Sequence, residues 1–306
     1  MDEPRARRPW LRGCGLRAIA LLVLTLPILL AAERAARRPS RRAWQQELAP
    51  GLTYQRGFQG QPRPLVWHLV AVDLRQPGLE LRVTPGAPGP DGYEIAAQTT
   101  REFVRASGAQ VAINGSFFQP AYTRHPWDFY PRSGDRVAVL GQAIANGRQY
   151  SPPQESWSVF CVAPEGRVAI LAVPACPPQT RQALAGSPIL VQDGELVAGA
   201  IAVDPQPRPR TVVGVNAAGD RLWLLVIDGR QPFYSQGATF ADVAGMLRDR
   251  GAAQVLVLDG GGSTTLVQAT SGGPQVLNAP IHTRIPARER PVANHLGVWV
   301  RPTAWP

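Results

Sequence analysis

Between residues 65 and 300 the apolar positions fall in short runs, mostly with a period of two. Leu65-Val-Trp-His-Leu-Val-Ala-Val-Asp-Leu74 and Leu79-Glu-Leu-Arg-Val83 read as strands, the second alternating strictly. Gln110-Val-Ala-Ile113 is a further strand that runs into Asn114-Gly-Ser-Phe-Phe118, and strands are expected again over 136–146, 157–163 and 167–173. Helical character is expected over 94–107, with Gly108 just beyond it, and in a short stretch near 179–185. Residues 119–135, rich in proline, aromatics and charge, read as a long loop over a site. The last third is the most regular. Arg210-Thr-Val-Val-Gly-Val-Asn216 turns through Ala217-Ala-Gly219 into Arg221-Leu-Trp-Leu-Leu-Val-Ile227, a hairpin ending in Asp228-Gly-Arg230. Thr239 is placed to cap a helix over 240–250 that Gly251 stops, and the apolar strand 254–258 follows. Strand, helix and strand in this length predict two parallel strands. These would bring Asp228 and Asp259 to one sheet edge, where open sheets place ligands.

The N-terminus breaks this pattern. Arg-rich residues 5–17 precede the apolar stretch Ala18-Ile-Ala-Leu-Leu-Val-Leu-Thr-Leu-Pro-Ile-Leu-Leu-Ala-Ala32. That length is short for a spanning helix and long for a signal core, so residues 1–32 read as a signal peptide or a signal anchor. Leu30 fits poorly at the −3 position of a cleavage after Ala32. Residues 33–60 read as a linker and 61–302 as the functional domain. The chain of 306 residues has a net charge of +10 and no lysine. Ten of its 32 basic residues lie within the first 42, against Asp2, Glu3 and Glu33. The basicity therefore belongs mainly to the tail, and no aromatic-studded basic face points to nucleic acid. Cys161 and Cys176 are spaced for either one disulfide or two free thiols.

The densest chemistry lies in Asp259-Gly-Gly-Gly-Ser-Thr-Thr265. A strand delivers a carboxylate to Gly260, Gly261 and Gly262, whose bare backbone a ligand can approach closely, and Ser263 adds a hydroxyl. Asp228-Gly-Arg230 offers an acid and a guanidinium at a second strand end, the guanidinium suited to a phosphate or carboxylate. Ser235 and Gly237 precede a helix N-terminus. Asn114 can both donate to and accept from a sugar hydroxyl. Each motif has a plainer reading as a turn, an ion pair or a cap. Other chemistries fail: there is no lysine for a Walker loop, the four histidines (68, 125, 282 and 295) lack zinc spacing, and Gly261-Gly-Ser-Thr-Thr265 is not a nucleophile elbow. An aspartic-peptidase dyad would place Ser or Thr directly after its Asp, whereas Gly follows here.

Taken in order, Asn114-Gly-Ser-Phe-Phe118, Gly186-Ser-Pro-Ile-Leu-Val191, Arg210-Thr-Val-Val-Gly214, Asp228-Gly-Arg230, Ser235-Gln-Gly237, Leu258-Asp-Gly-Gly-Gly-Ser-Thr-Thr265 and Glu289-Arg-Pro-Val-Ala-Asn294 resemble the phosphodiester glycosidase family. The likeness spans roughly residues 65–300; it departs at Ser116, where relatives often carry a second glycine. It implies hydrolysis between a sugar's anomeric carbon and a phosphate oxygen. It also implies an α+β domain with a mixed, largely antiparallel sheet and a few helices. Asp228 and Asp259 become the expected catalytic pair. Asn114, Arg210, Arg230, Ser235, Gly237, Gly260, Gly261, Gly262, Ser263, Asn278 and Arg290 become the expected substrate-binding residues. No cofactor is required; a divalent cation is compatible with the acids but not indicated. A carbohydrate phosphodiester is the expected partner. Bacterial members are often tied to exopolysaccharide synthesis, which with the N-terminal segment implies an extracytoplasmic location, periplasmic, secreted or anchored to the inner membrane. The rival expectation is a non-catalytic glycan-binding module of exopolysaccharide or wall synthesis using the same cleft.

Overall fold

The computed structural model describes residues 25–26, 29–30, 32–33 and 36–301. It divides into two compact units, one ending at Arg38 and one beginning at Pro39. The expected signal or anchor, residues 1–32, lies largely outside the described residues. Among the described residues no helix is long and apolar enough to cross a membrane.

The second unit is built on an eight-stranded sheet. Its order is Trp44–Ala49, Leu52–Gln59, Leu65–Asp73, Arg221–Ile227, Arg210–Val215, Gln254–Val257, Ile189–Gln192 and Glu195–Leu196, with every neighbouring pair antiparallel. Both faces are covered, so the central strands read as unbroken apolar runs. Leu222, Leu224 and Val226 face one cluster, together with Ile113, Leu266 and Leu296 from one five-stranded sheet and Phe160, Ile170 and Leu184 from another. Trp223, Leu225 and Ile227 face the other, beneath Val243, Ala244 and Leu247 of the helix Phe240–Arg248. One five-stranded sheet runs Gly273–Val276, Leu266–Thr270, Val111–Asn114, His295–Val300, Leu79–Val83; the second runs Arg148–Ser151, Ala143–Ala145, Gln182–Gly186, Ser158–Val162, Val168–Leu171. Helix, long sheet and paired shorter sheets thus form successive layers, an α+β architecture of mostly antiparallel strands.

The strands ending at Asp228 and Asp259 are parallel to each other, but they are not adjacent. Arg210–Val215 lies between them and pairs antiparallel with both. Thr239 caps the intervening helix: its hydroxyl accepts from the Asp242 N–H (3.1 Å), and the Asp242 carboxylate accepts from the Thr239 N–H (2.7 Å). Thr239→Ala is expected to cost about 1 kcal/mol in thermal or urea unfolding.

Several local expectations change. The stretch 33–60 carries two strands rather than only a linker: Leu52 and Tyr54 are buried alternately, a pattern hidden by the surrounding arginines. Within 94–107, Ile95–Ala96 is a short strand and the helix starts at Thr100. A capping box between Thr99 and Glu102 sets that start. The helix expected near 179–185 is the strand Gln182–Gly186, because two strands flank it and bury every residue. The expected 119–135 loop contains the hairpin Tyr122–His125 and Asp128–Tyr130. Ala198–Val203, without a signal in the sequence, is helical. Cys161 and Cys176 are joined in a disulfide.

Candidate active site

Two buried asparagines hold the glycine-rich turn. The Asn114 amide donates to the Asp259 carbonyl (2.6 Å), and its oxygen accepts from the Thr211 hydroxyl (2.7 Å) and the Thr265 N–H (3.1 Å). The Asn278 oxygen accepts from the Leu266 N–H (2.9 Å), while its amide donates to the Thr264 carbonyl (3.1 Å) and to Asp228 (3.1 Å). The turn itself is a short 3-10 segment, Gly261–Ser263, and Gly261 has φ +62°, a conformation that favours glycine. A Cβ there would also stand 3.0 Å from the Arg230 guanidinium. Of the turn's N–H groups, Gly261 donates to the Pro209 carbonyl (2.9 Å) and Ser263 to the Gly260 carbonyl (3.1 Å).

Asp228 lies beneath this turn with only 1% of its surface exposed. One carboxylate oxygen accepts from the Ala279 N–H (2.7 Å) and Asn278; the other faces His68 Nε2 (3.0 Å) and accepts from the Tyr234 hydroxyl (3.3 Å). His68 Nδ1 meets the Tyr54 hydroxyl at 2.8 Å. Burial, reinforced by the Asp228 charge, pushes the Tyr234 hydroxyl up from its ordinary pKa, so it stays a neutral donor. The Ser235 hydroxyl donates to the Asp228 carbonyl (2.6 Å) and accepts from the Val66 N–H (3.0 Å). Asp228, Ser235, Asn114 and Asn278 are thus a buried frame behind the turn.

Asp259 has a different setting. Burial raises its pKa above the ordinary carboxylate value, opposed by Arg290, the Ser263 hydroxyl, the Gly260 N–H and Arg230. Arg290 donates to the Ser263 hydroxyl (3.3 Å) and lies 5.0 Å over the Phe118 ring, with its Nε unpaired. Arg230, exposed at the rim, has φ 57°. The partial burial of its guanidinium, then Arg208, Arg284 and Arg290, draw its pKa down. Among the described residues, no carboxylate lies within 4.0 Å of Arg230, Arg284 or Arg290. Arg290 and Arg230 around one carboxylate, with Arg284 near Arg230, leave more positive than negative charge at the glycine turn, which makes it an anion-accepting cleft.

The remaining expected residues lie to one side. The Arg210 guanidinium donates to Asp204 (2.9 Å), to the Gln206 carbonyl (2.9 Å) and to the Ala238 carbonyl (3.1 Å), and stacks 4.2 Å over Phe240. It fastens the preceding proline-rich loop to the helix face. Gly237 has φ +109°, and a Cβ there would come within 2.5 Å of the Arg208 backbone. A cavity of about 840 Å³ elsewhere is bounded in part by Leu171, Pro178, Asn216 and Gln254, and shares no residue with the cleft. Its Arg167 and Arg248 are engaged by the Ala218 carbonyl and Asp249, so size does not mark the site here. Among the described residues, no three His, Cys, Asp or Glu cluster as metal ligands. Tyr234 and Arg284 carry no signal in the sequence, His68 and His282 stand out there only as histidines without zinc spacing, and Asn294 only as the end of the Glu289–Asn294 motif. The Asn294 side chain accepts from the Ser116 N–H (2.8 Å) and donates to the Tyr150 hydroxyl (3.1 Å).

The family model for phosphodiester glycosidases matches residues 107–299, a span that holds every element of the cleft. The chain belongs to the phosphodiester glycosidase family. The fold agrees. The catalytic domain of zebrafish N-acetylglucosamine-1-phosphodiester alpha-N-acetylglucosaminidase, auto-inhibited by its pro-peptide, superposes with a TM-score of 0.62 at 19% identity, over 88% of this chain and 93% of that one. A Synechocystis protein superposes with a TM-score of 0.56 at 18% identity, over 86% and 64% of the two chains. A Burkholderia pseudomallei protein described as exported gives 0.54 at 15% identity, over 77% and 74%. No curated protein sequence matches this chain.

Proposed function

We propose that the chain hydrolyses sugar-1-phosphodiesters, of N-acetylglucosamine type or from a cell-envelope polysaccharide, releasing free sugar and a phosphomonoester. The observation that carries this reading is the pair of guanidiniums, Arg290 and Arg230, whose charges act on the buried Asp259 carboxylate at the glycine turn. A phosphodiester oxygen is already a fair leaving group, so charge stabilisation matters more than a strong acid. Arg290 and Arg230 bind the phosphate oxygens. Water adds to the anomeric carbon, the bond from that carbon to the phosphate oxygen breaks, and the phosphate leaves with the bonding pair. Asp259 takes the proton from water or stabilises the oxocarbenium-like transition state. Its raised pKa suits a base that works nearer neutrality than an ordinary carboxylate. Asp228, with both oxygens engaged by buried donors, positions the turn through Asn278.

Release of sugar from an N-acetylglucosamine-type phosphodiester tests the reading; saturable binding without release would favour the glycan-binding module. Inorganic phosphate is expected to raise the thermal midpoint, as any ligand of the folded state does. Arg290→Ala should remove most of that rise and lower kcat/KM by about 100-fold. The N-terminal apolar stretch and the disulfide support work outside the cytoplasm, in the periplasm, secreted or anchored at the inner membrane. Fractionation of cells expressing the full chain tests this; recovery in the cytoplasm would refute it.

A further inference from the structure

We propose that His282 is a further catalytic residue of this cleft, an imidazole that hydrogen-bonds the bound phosphodiester through the ring nitrogen beside Gly262. The inference rests on the hydrolase reading above. His282 is 2% exposed, yet its Nε2 has no hydrogen-bond partner. Its Nδ1 makes no protein hydrogen bond among the described residues either. Nε2 is fully enclosed, whereas Nδ1 is not among the enclosed atoms, so Nδ1 is the ring nitrogen a ligand can reach. A side chain built on Gly262 would begin 3.4 Å from His282 Nδ1 and 3.9 Å from Arg290 Cδ. Gly262 therefore sets the bare backbone of the turn beside His282 Nδ1 and the stem of Arg290.

The local backbone is shaped around this placement. Thr283 and Arg284, directly after His282, have φ 54° and 62°. A β-branched residue such as Thr rarely takes that conformation without surrounding structure to enforce it. The His282 N–H donates to the Arg288 carbonyl (3.0 Å) and its carbonyl accepts from the Ile285 N–H (3.0 Å), closing the loop. Phe129, from the hairpin Asp128–Tyr130, meets the imidazole edge-on at 4.9 Å. Burial, Arg290 and Arg288 depress the imidazole pKa to about 3. His282 is accordingly neutral at physiological pH. It adds no charge to a cleft already rich in guanidiniums, but keeps one donor and one acceptor for substrate.

His282→Phe preserves the contact with Phe129 and removes both nitrogens; His282→Asn restores an amide near the Nδ1 position. With a sugar-1-phosphodiester, His282→Phe is expected to keep the wild-type thermal midpoint and lose about 100-fold in kcat/KM. His282→Asn should recover at least about tenfold of that loss. A purely structural role would leave kcat/KM unmoved in a folded His282→Phe protein, and that result overturns the proposal. A second readout needs no turnover. In the wild type, the ¹⁵N signals of the His282 ring should shift when inorganic phosphate is added, and phosphate should bind His282→Phe more weakly. Unshifted ring signals, with equal phosphate affinity in both proteins, would refute the contact even if the wild type hydrolyses its substrate. Ring shifts in a wild type that releases no sugar would support the contact while rejecting the hydrolase reading.

Discussion

Asp259→Asn is expected to lower turnover of a sugar-1-phosphodiester by about 1000-fold while leaving the fold intact. The Asp259 carbonyl and N–H, not its carboxylate, tie it to the frame, through Asn114 (2.6 Å) and Gly115 (3.1 Å), and an Asn keeps both. The substitution should also stabilise the protein at neutral pH. Burial lifts the Asp259 pKa above its ordinary 3.8, so the folded state favours the protonated carboxyl. A raised folded-state pKa contributes stability below the unfolded value and loses it as pH climbs through the folded value. At neutral pH, above the unfolded value, the carboxyl at Asp259 is therefore a net cost that Asn removes. The gain in thermal midpoint should fade as the pH is lowered toward 3.8. The same shift places the acidic limb of the wild-type kcat/KM profile above pH 3.8, and that limb should vanish in the residual activity of the mutant. An active Asp259→Asn enzyme would remove Asp259 from the chemistry.

Asp228→Ala has the opposite signature. Its side chain is fully buried and receives the Ala279 N–H, the Asn278 amide and the Tyr234 hydroxyl, with His68 Nε2 at 3.0 Å. Removing the carboxylate leaves these groups without their partner and opens a small cavity. The expected loss is about 3–5 kcal/mol in urea unfolding, a large share of an ordinary domain's stability. Activity should fall with it, because Asn278 joins Asp228 to the turn at Thr264. If Asp228→Ala unfolds at the same urea concentration as the wild type, the buried frame does not carry the turn.

The central sheet was legible because its signals agree. The hairpin 210–227 has an apolar run on each side of a Gly turn, and Thr239 announces the helix that returns the chain in parallel. Periodicity did not show that Arg210–Val215 lies between the two parallel strands, since pairing order is a long-range property. Strands Trp44–Ala49 and Leu52–Gln59 were masked by arginines beside them, although Leu52 and Tyr54 alternate inward. In the cleft, the carboxylate, glycines and Arg290 could be named from their order alone. Their tasks could not, because an amide such as Asn114 serves a turn's backbone as readily as a sugar hydroxyl, and Arg210 serves a loop as readily as a phosphate. The sequence around His282 speaks only against zinc spacing. Its placement depends on left-handed angles at Thr283 and Arg284, which neither residue type suggests.

A crystal structure with a sugar 1-phosphate bound tests the central claim most directly. The phosphate is expected within hydrogen-bond distance of Arg290 and Arg230, with the anomeric carbon turned toward the Asp259 carboxylate. A phosphate seated instead in the cavity lined by Pro178 and Asn216, or a sugar whose anomeric carbon faces away from Asp259, would contradict it.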